Sequence, residues 1–418
     1  MTEKLFQFIW QFQYYNKSNL QTSVGDDLQI LQLGTLNTNE GPDFLNAKIK
    51  CGDTLLVGSI ELHINASHWK LHKHSDDANY NNVILHVVWE EDKNLLLNFP
   101  VLELKNRVSN LLLDKYESLM NSQKFIACQN YIGTVNEFTI LAFKERLIIE
   151  RLQEKAGYVE KLLLQNNHHW EEVFWQLIAR NFGNKINCDA FETIAKTVNL
   201  NTLAKHKNQL HQLEALLLGQ ADLLSNNMND DYGIMLQKEY NYLKQKLTLK
   251  PIHISVHFLR MRPANFPTIR LSQLATLVHK STHLFSAIKD AESLKEVEKM
   301  FDVQANDYWH YHYTFNEISA FKKKTLGKQM VQNIIVNTIL PVLYAYGWYN
   351  NDEKYKAKAL QWAEQLLPEK NNITSGFQQL GVKNKSAYDS QALIQLKNKY
   401  CNQKRCLECA IGNSFLKK

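Results

Sequence analysis

The sequence predicts an α+β protein, with a mixed α/β sheet domain over residues 1–107 and a large, mainly α-helical domain over 108–418. Three observations carry this prediction. Short aliphatic and β-branched runs separated by turn residues crowd the first hundred positions. Beyond about Val108 the apolar residues recur at helical spacing for long stretches. Only 7 prolines occur in 418 residues, which leaves room for long uninterrupted helices.

The elements follow in order. Leu5, Phe8, Ile9 and Phe12 recur at i, i+3, i+4 and i+7, which predicts an opening amphipathic helix over Leu5 to Tyr14. Strands are expected at Leu28 to Leu33, Phe44 to Ile49 and Leu55 to Ile64. The turn residues Cys51, Gly52 and Asp53 make the last two a hairpin. A polar stretch from Asn65 to Asn82 holds a short helix at most, and the run Val83 to Trp89 reads as a buried strand. A second hairpin is expected, turning at Glu91 to Asn94 and returning along Leu95 to Leu104, with Pro100 at an edge or an end. Long helices are predicted over Phe138 to Leu164, Trp170 to Phe182 and Leu210 to Leu224, with an irregular connection over residues 251–267.

Composition narrows the functional classes. Hydrophobic residues at 44% and charged residues at 22% describe a folded chain. No apolar run reaches the roughly 18–20 residues that span a bilayer, and the start lacks a signal-peptide pattern, so a cytoplasmic protein without a membrane is expected. A net charge of +6 is mild. The basic positions concentrated enough to meet phosphate are Arg260, Arg262 and Arg270, whose guanidinium groups suit phosphate geometry, and Lys322 to Lys324. The alternative is arginines paired with acidic residues at a helix junction.

The chemistry-bearing residues gather between Glu40 and His86. Asp43 follows a Gly-Pro turn at the start of one strand, and Glu61 lies near the end of its hairpin partner. Carboxylates on neighbouring strands can hold a divalent cation through hard oxygen ligands, with Glu40 as a further acidic source. Alternatively Asp43 caps a turn and Glu61 pairs with a surface lysine. Five of the 15 histidines, His63, His68, His72, His74 and His86, fall in this stretch. If Ser67 to Lys73 is helical, His68 and His72 share one face and are competent metal ligands. His86, inside a strand run, is read as a hydrogen-bonded structural residue, and Trp69 and Tyr80 frame a pocket or plug the core.

Pro42-Asp43, then Glu61-Leu62-His63 after a hairpin, in the order helix, strands, polar segment, strand, resembles the core of the PD-(D/E)xK nuclease superfamily over the first hundred residues. The resemblance implies that Asp43 and Glu61 ligate Mg2+ or Mn2+, and that the residue at position 63 assists the attacking water. His63 stands where that superfamily carries lysine. Further segments, among them Gly58 to His63, Tyr80 to Val88, Arg262 to Pro267, Tyr344 to Gly347 and Cys406 to Gly412, resemble domain-of-unknown-function family 2851, a family of bacterial proteins with no assigned reaction.

Cys401-x4-Cys406-x2-Cys409 places three thiols where a loop can wrap a metal, and Cys128 is the best fourth ligand. Zinc or an iron–sulfur cluster would suit them, the spacing being similar to that of plant-type ferredoxins. Lys404 and Arg405 are expected to lower the thiol pKa values. Reduced cysteines packed near a helix end are the alternative. The leading functional expectation is a divalent-metal-dependent, nuclease-like phosphodiesterase acting on DNA or RNA. The alternatives are an inactive nuclease-fold binding or scaffold protein, and a histidine-rich metal-dependent hydrolase of small molecules.

Overall fold

The computed structural model describes residues 1–225, 227–250, 252 and 254–417. The chain divides into two compact units, and the boundary lies at Phe143 rather than at 107. Unit 1 comprises Met1–Phe143, Gln379–Val382 and Leu396–Lys418, and unit 2 comprises Lys144–Gln378 and Lys383–Gln395. The C-terminal segment joins unit 1 because its aromatic residues pack there. Phe415 stacks on Tyr131 at 3.8 Å between ring centroids, and Tyr400 meets Phe143 edge-on.

Unit 1 opens with helix α1 (Glu3–Gln11), whose N-terminus is capped by the Thr2 hydroxyl accepting from the Leu5 N–H. Its apolar stripe of Leu5, Phe6, Phe8 and Ile9 is buried, and Phe6 meets Trp89 edge to face. Strands β1 (Leu28–Gln32), β2 (Thr35–Leu36), β3 (Phe44–Cys51), β4 (Thr54–Asn65), β5 (Val83–Glu90) and β6 (Val101–Glu103) form one mixed sheet, with β2 paired to β3 off the main order β1-β3-β4-β5-β6. The expected β3–β4 hairpin forms, turning between Cys51 and Thr54. Its register shifts once. Phe44 faces Ile60 but Ala47 faces Gly58, so β3 carries one residue more than β4 across that interval. The surplus is absorbed at Asn46, whose φ of 59° is the left-handed conformation of a β-bulge. The bulge leaves Phe44 and Ala47 both at 0% exposure.

β4 and β5 pair in parallel, and Gly58 makes that pairing possible. The Asn82 carbonyl approaches there to accept from the Ser59 N–H at 2.8 Å. Helix α2 (His68–Leu71) is a single turn between the two strands.

The second hairpin does not form: β6 runs parallel to β5, with His86 opposite Val101. Leu95, Leu97 and Phe99 leave the sheet and pack with Trp69 and Val83, which carries the chain back to the start of β5. Pro100 has no N–H for the ladder, but its carbonyl accepts from the His86 N–H at 3.0 Å. Trp69 is therefore a core residue, and its indole N–H donates to the Ser75 hydroxyl.

Unit 2 is mainly helical, with helices at Trp170–Phe182, Asn184–Thr197, Leu210–Gln220 and Pro267–Lys280. Of the irregular connection at 251–267, Pro251 and His253 lie outside the described residues. The helical stretch Lys328–Tyr349 is long and apolar enough to cross a membrane, which the sequence reading did not anticipate, but its window is 78% buried. It contains a π-helical turn, Ile335–Ile339, just before Pro341. A widened turn there relieves the clash of the proline ring with the preceding turn.

Gly58→Ala is expected to destabilise unit 1 by about 1–3 kcal/mol, because its Cβ would lie 2.3 Å from the Asn82 carbonyl oxygen and 2.6 Å from the Ile84 side chain. Urea unfolding followed by circular dichroism measures it. An unchanged midpoint would mean that β5 can shift away at no cost.

Candidate metal centre

Continuing the Phe44–Ile60 register by one residue places Asp43 directly across from Glu61. The Asp43 N–H donates to Glu61 Oε2 and the Leu62 N–H donates to Asp43 Oδ2, each at 3.0 Å. From α1, the Gln7 amide donates to Asp43 Oδ1 at 2.7 Å. Burial raises the pKa of both carboxyls, and the Asp43 charge raises Glu61 further. The more distant charge of Glu3 acts in the same direction on both. Glu40 takes no part in this pairing. It stays exposed, and the Asn37 amide donates to its carbonyl.

Side-chain alternation along β4 puts His63 beside Glu61. His63 is 2% exposed and bonded at both ring nitrogens: Nδ1 pairs with His86 Nε2 at 2.9 Å and Nε2 pairs with His72 Nδ1 at 3.2 Å. Glu61 Oε1 lies 3.5 Å from both His63 Nε2 and His74 Nε2. Donor nitrogens of His63, His72 and His74 lie within 4.8 Å of one another. Burial holds the His63 and His86 rings neutral, His86 down to about 3, and the other rings of the cluster push His63 the same way. Neutral imidazoles are the form that ligates metals.

His68 and His72 do share a face, with ring centroids 5.7 Å apart. His68 borders the cluster, 6.0 Å from the His63 ring. His74 is the member of the cluster that sequence reasoning did not single out as a candidate ligand. The helical turn ends at Lys73, whose φ of 58° reverses the chain and carries His74 back over Glu61. Tyr80 stacks on His74 at 3.8 Å, and burial pushes its hydroxyl up to about 12. Gln7 was missed too, since only the fold brings α1 to Asp43. His86, at 0% exposure, orients His63 through its ring.

The remaining sites of the sequence reading lie elsewhere. In unit 2 Arg270 is buried, and its guanidinium donates to Gln273 Oε1 at 2.8 Å and Asn265 Oδ1 at 2.5 Å. It braces the start of its helix and is not presented to phosphate, which corrects the expectation placed on it. Lys324 is also turned inward, donating to the His310 carbonyl at 3.0 Å. Arg262 remains exposed.

The buried Glu61 carboxyl and the half-buried Asp43 carboxyl against three convergent imidazoles define a mixed-sheet protein with an oxygen- and nitrogen-lined cluster that could hold a metal ion. The chain belongs to the family described as protein of unknown function (DUF2851), whose model matches residues 3–372. No curated protein and no solved structure matches it.

Because the folded-state pKa of Glu61 is raised, the native protein without metal holds a proton that the unfolded chain releases. Its contribution to stability is therefore lost as pH rises above the ordinary carboxylate value, at about 1.4 kcal/mol per pH unit while the folded group stays protonated. In chelator-treated protein, Glu61→Gln is expected to gain stability relative to wild type as pH rises from about 5 to about 8. Urea midpoints across that range measure it. A difference that does not change with pH would show Glu61 to be ionised in the native state.

Proposed function

We propose that this protein is a metal-dependent hydrolase of nuclease-like design, cleaving a phosphodiester at a divalent cation held by Glu61, His63, His72 and His74. The observation that carries the reading is the convergence of three imidazole donors within 4.8 Å of one another, with the Glu61 carboxylate 3.5 Å from two of the rings. Three nitrogens and a carboxylate suit Zn2+ or Mn2+ better than Mg2+, which takes oxygen ligands. Bound there, such an ion supplies an activated water and stabilises the charge that builds on a phosphoryl oxygen. Asp43, across from Glu61, would serve as the base for such a water. His86 fixes the His63 ring as an outer partner. The order helix, strands, short helix, strand, with Asp43 just before β3 and Glu61 on its partner β4, supports the resemblance to the PD-(D/E)xK core.

The depth of the centre favours a second reading, a hydrolase of small molecules. Glu61 is 6% and His63 2% exposed, and only His72 of the three imidazoles is open to solvent. A small chromogenic phosphodiester, single- and double-stranded DNA, and RNA, each assayed with Mn2+ and Zn2+, separate the two. Cleavage of the small diester alone supports the second reading. Failure on every substrate would leave a binding or scaffold protein.

His72→Ala and Glu61→Ala are expected to abolish stoichiometric Zn2+ or Mn2+ binding, while His86→Ala weakens it by roughly 10–100-fold. Calorimetric titration of chelated protein measures both effects. His63→Lys separates two roles for that position. As a metal ligand, His63 cannot be replaced by a protonated amine and binding is lost. If His63 instead does the work of the superfamily lysine, the variant keeps its metal and gains activity.

A further inference from the structure

All four cysteines singled out in the sequence belong to unit 1. Cys128 lies between Phe125, whose ring sits 4.9 Å from the Lys397 ammonium, and Tyr131, which stacks on Phe415. These contacts bracket the segment carrying Cys128 against the segment carrying Cys401, Cys406 and Cys409. The Lys404 ammonium donates to the Met120 carbonyl and ties the two segments again. Cys128, Cys406 and Cys409 are 7%, 7% and 6% exposed. The turn holding the last two is wrapped tightly on helix Ala410–Lys417, since a Cβ at Gly412 would lie 2.5 Å from the Cys406 carbonyl oxygen.

The thiols lie within electrostatic reach of one another. Burial, then the charges of Cys409 and Cys406, pushes the Cys128 thiol up to about 12. Burial raises Cys401 as well, and Cys409, Cys128 and Cys406 all add to that rise. The lowering expected from Lys404 and Arg405 is outweighed: Lys404 acts weakly on Cys406, while Arg405 donates to Glu408 and the Lys399 carbonyl. No disulfide joins any of the four.

We propose that Cys128, Cys401, Cys406 and Cys409 ligate an iron–sulfur cluster that fastens the C-terminal segment to the loop following the Asn110–Asn121 helix. Four thiols brought together from two segments, three of them buried and that of Cys401 half-buried, form a soft ligand set, and the run of three with spacings of four and two residues plus one remote cysteine is a cluster-binding pattern. Sulfur spacing separates a cluster from a single zinc ion. Zinc–sulfur bonds of ~2.3 Å in a tetrahedron put the sulfurs ~3.8 Å apart. Among the described residues, only the imidazole group of the other centre brings three such donors within 4.8 Å of one another. In a four-iron cluster each thiolate binds its own iron and in a two-iron cluster no more than two share one, so a cluster accepts the wider spacing.

The test uses the full chain purified anaerobically and, in parallel, reconstituted with ferrous iron and sulfide. Wild type is expected to contain iron and acid-labile sulfide in equal amounts and to be brown. Cys128→Ser and Cys406→Ser should each lose most of both, whereas His63→Ala keeps both, which separates this site from the histidine centre. Should the serine variants fail to fold, resonance Raman bands of iron–thiolate stretching read the ligation in wild type itself. Zinc in place of iron, no metal after reconstitution, or iron undiminished in both folded serine variants would overturn the proposal.

Discussion

Two carboxyl groups facing each other, one buried and one half-buried, impose the condition that the rest of unit 1 meets. The Glu61 carboxyl accepts from the Asp43 N–H and the Asp43 carboxyl from the Leu62 N–H, and among the described residues no lysine or arginine is placed to offset their charge. Burying two ionised carboxylates unpaired costs several kcal/mol each, so the site must hold protons or a cation. The surroundings fit either state. Gln7 donates to Asp43 and the backbone supplies two N–H groups, while burial holds the His63 and His86 rings neutral. The sheet supplies the rigidity, since its β4–β5 pair is buried along the stretch that carries Glu61, His63 and His86.

The parts of this arrangement legible in the sequence are those governed by local pattern. The β3–β4 hairpin follows from two β-rich runs around a Cys-Gly-Asp turn, and that alone brings Asp43 near Glu61. The facing of His68 and His72 follows from helical spacing. What escaped depends on single backbone conformations or on distant packing. His74 reaches Glu61 only because Lys73 adopts a left-handed conformation, which no side-chain pattern announces. β6 lies parallel to β5 because Leu95, Leu97 and Phe99 prefer the core under Trp69 to a hairpin strand, a competition that periodicity cannot weigh. Arg270 looked available because it clusters with Arg260 and Arg262 in the sequence, whereas nearly the whole of the helix that carries it is buried.

The two clusters of unit 1 differ in donor chemistry. One offers imidazole and carboxylate, the other thiols alone. Hard and borderline ions prefer the first and soft centres the second. The segments that carry them are separate as well, since the first draws on residues 7–86 and the second on residue 128 and residues 401–409. Loss of one set of donors therefore leaves the other complete.

The bulge at Asn46 has a bearing on how this protein can change over time. Because the surplus residue is absorbed between Phe44 and Ala47, the register on the Asp43 side and the register on the turn side are set independently. Removing the surplus would leave Phe44 opposite Ile60, and lengthening the hairpin at its turn would add pairs only beyond Ala47. The outer half of the hairpin is thus free to drift in length and sequence while the carboxyl pair keeps its alignment, which places inheritable variation where it does no harm to the centre.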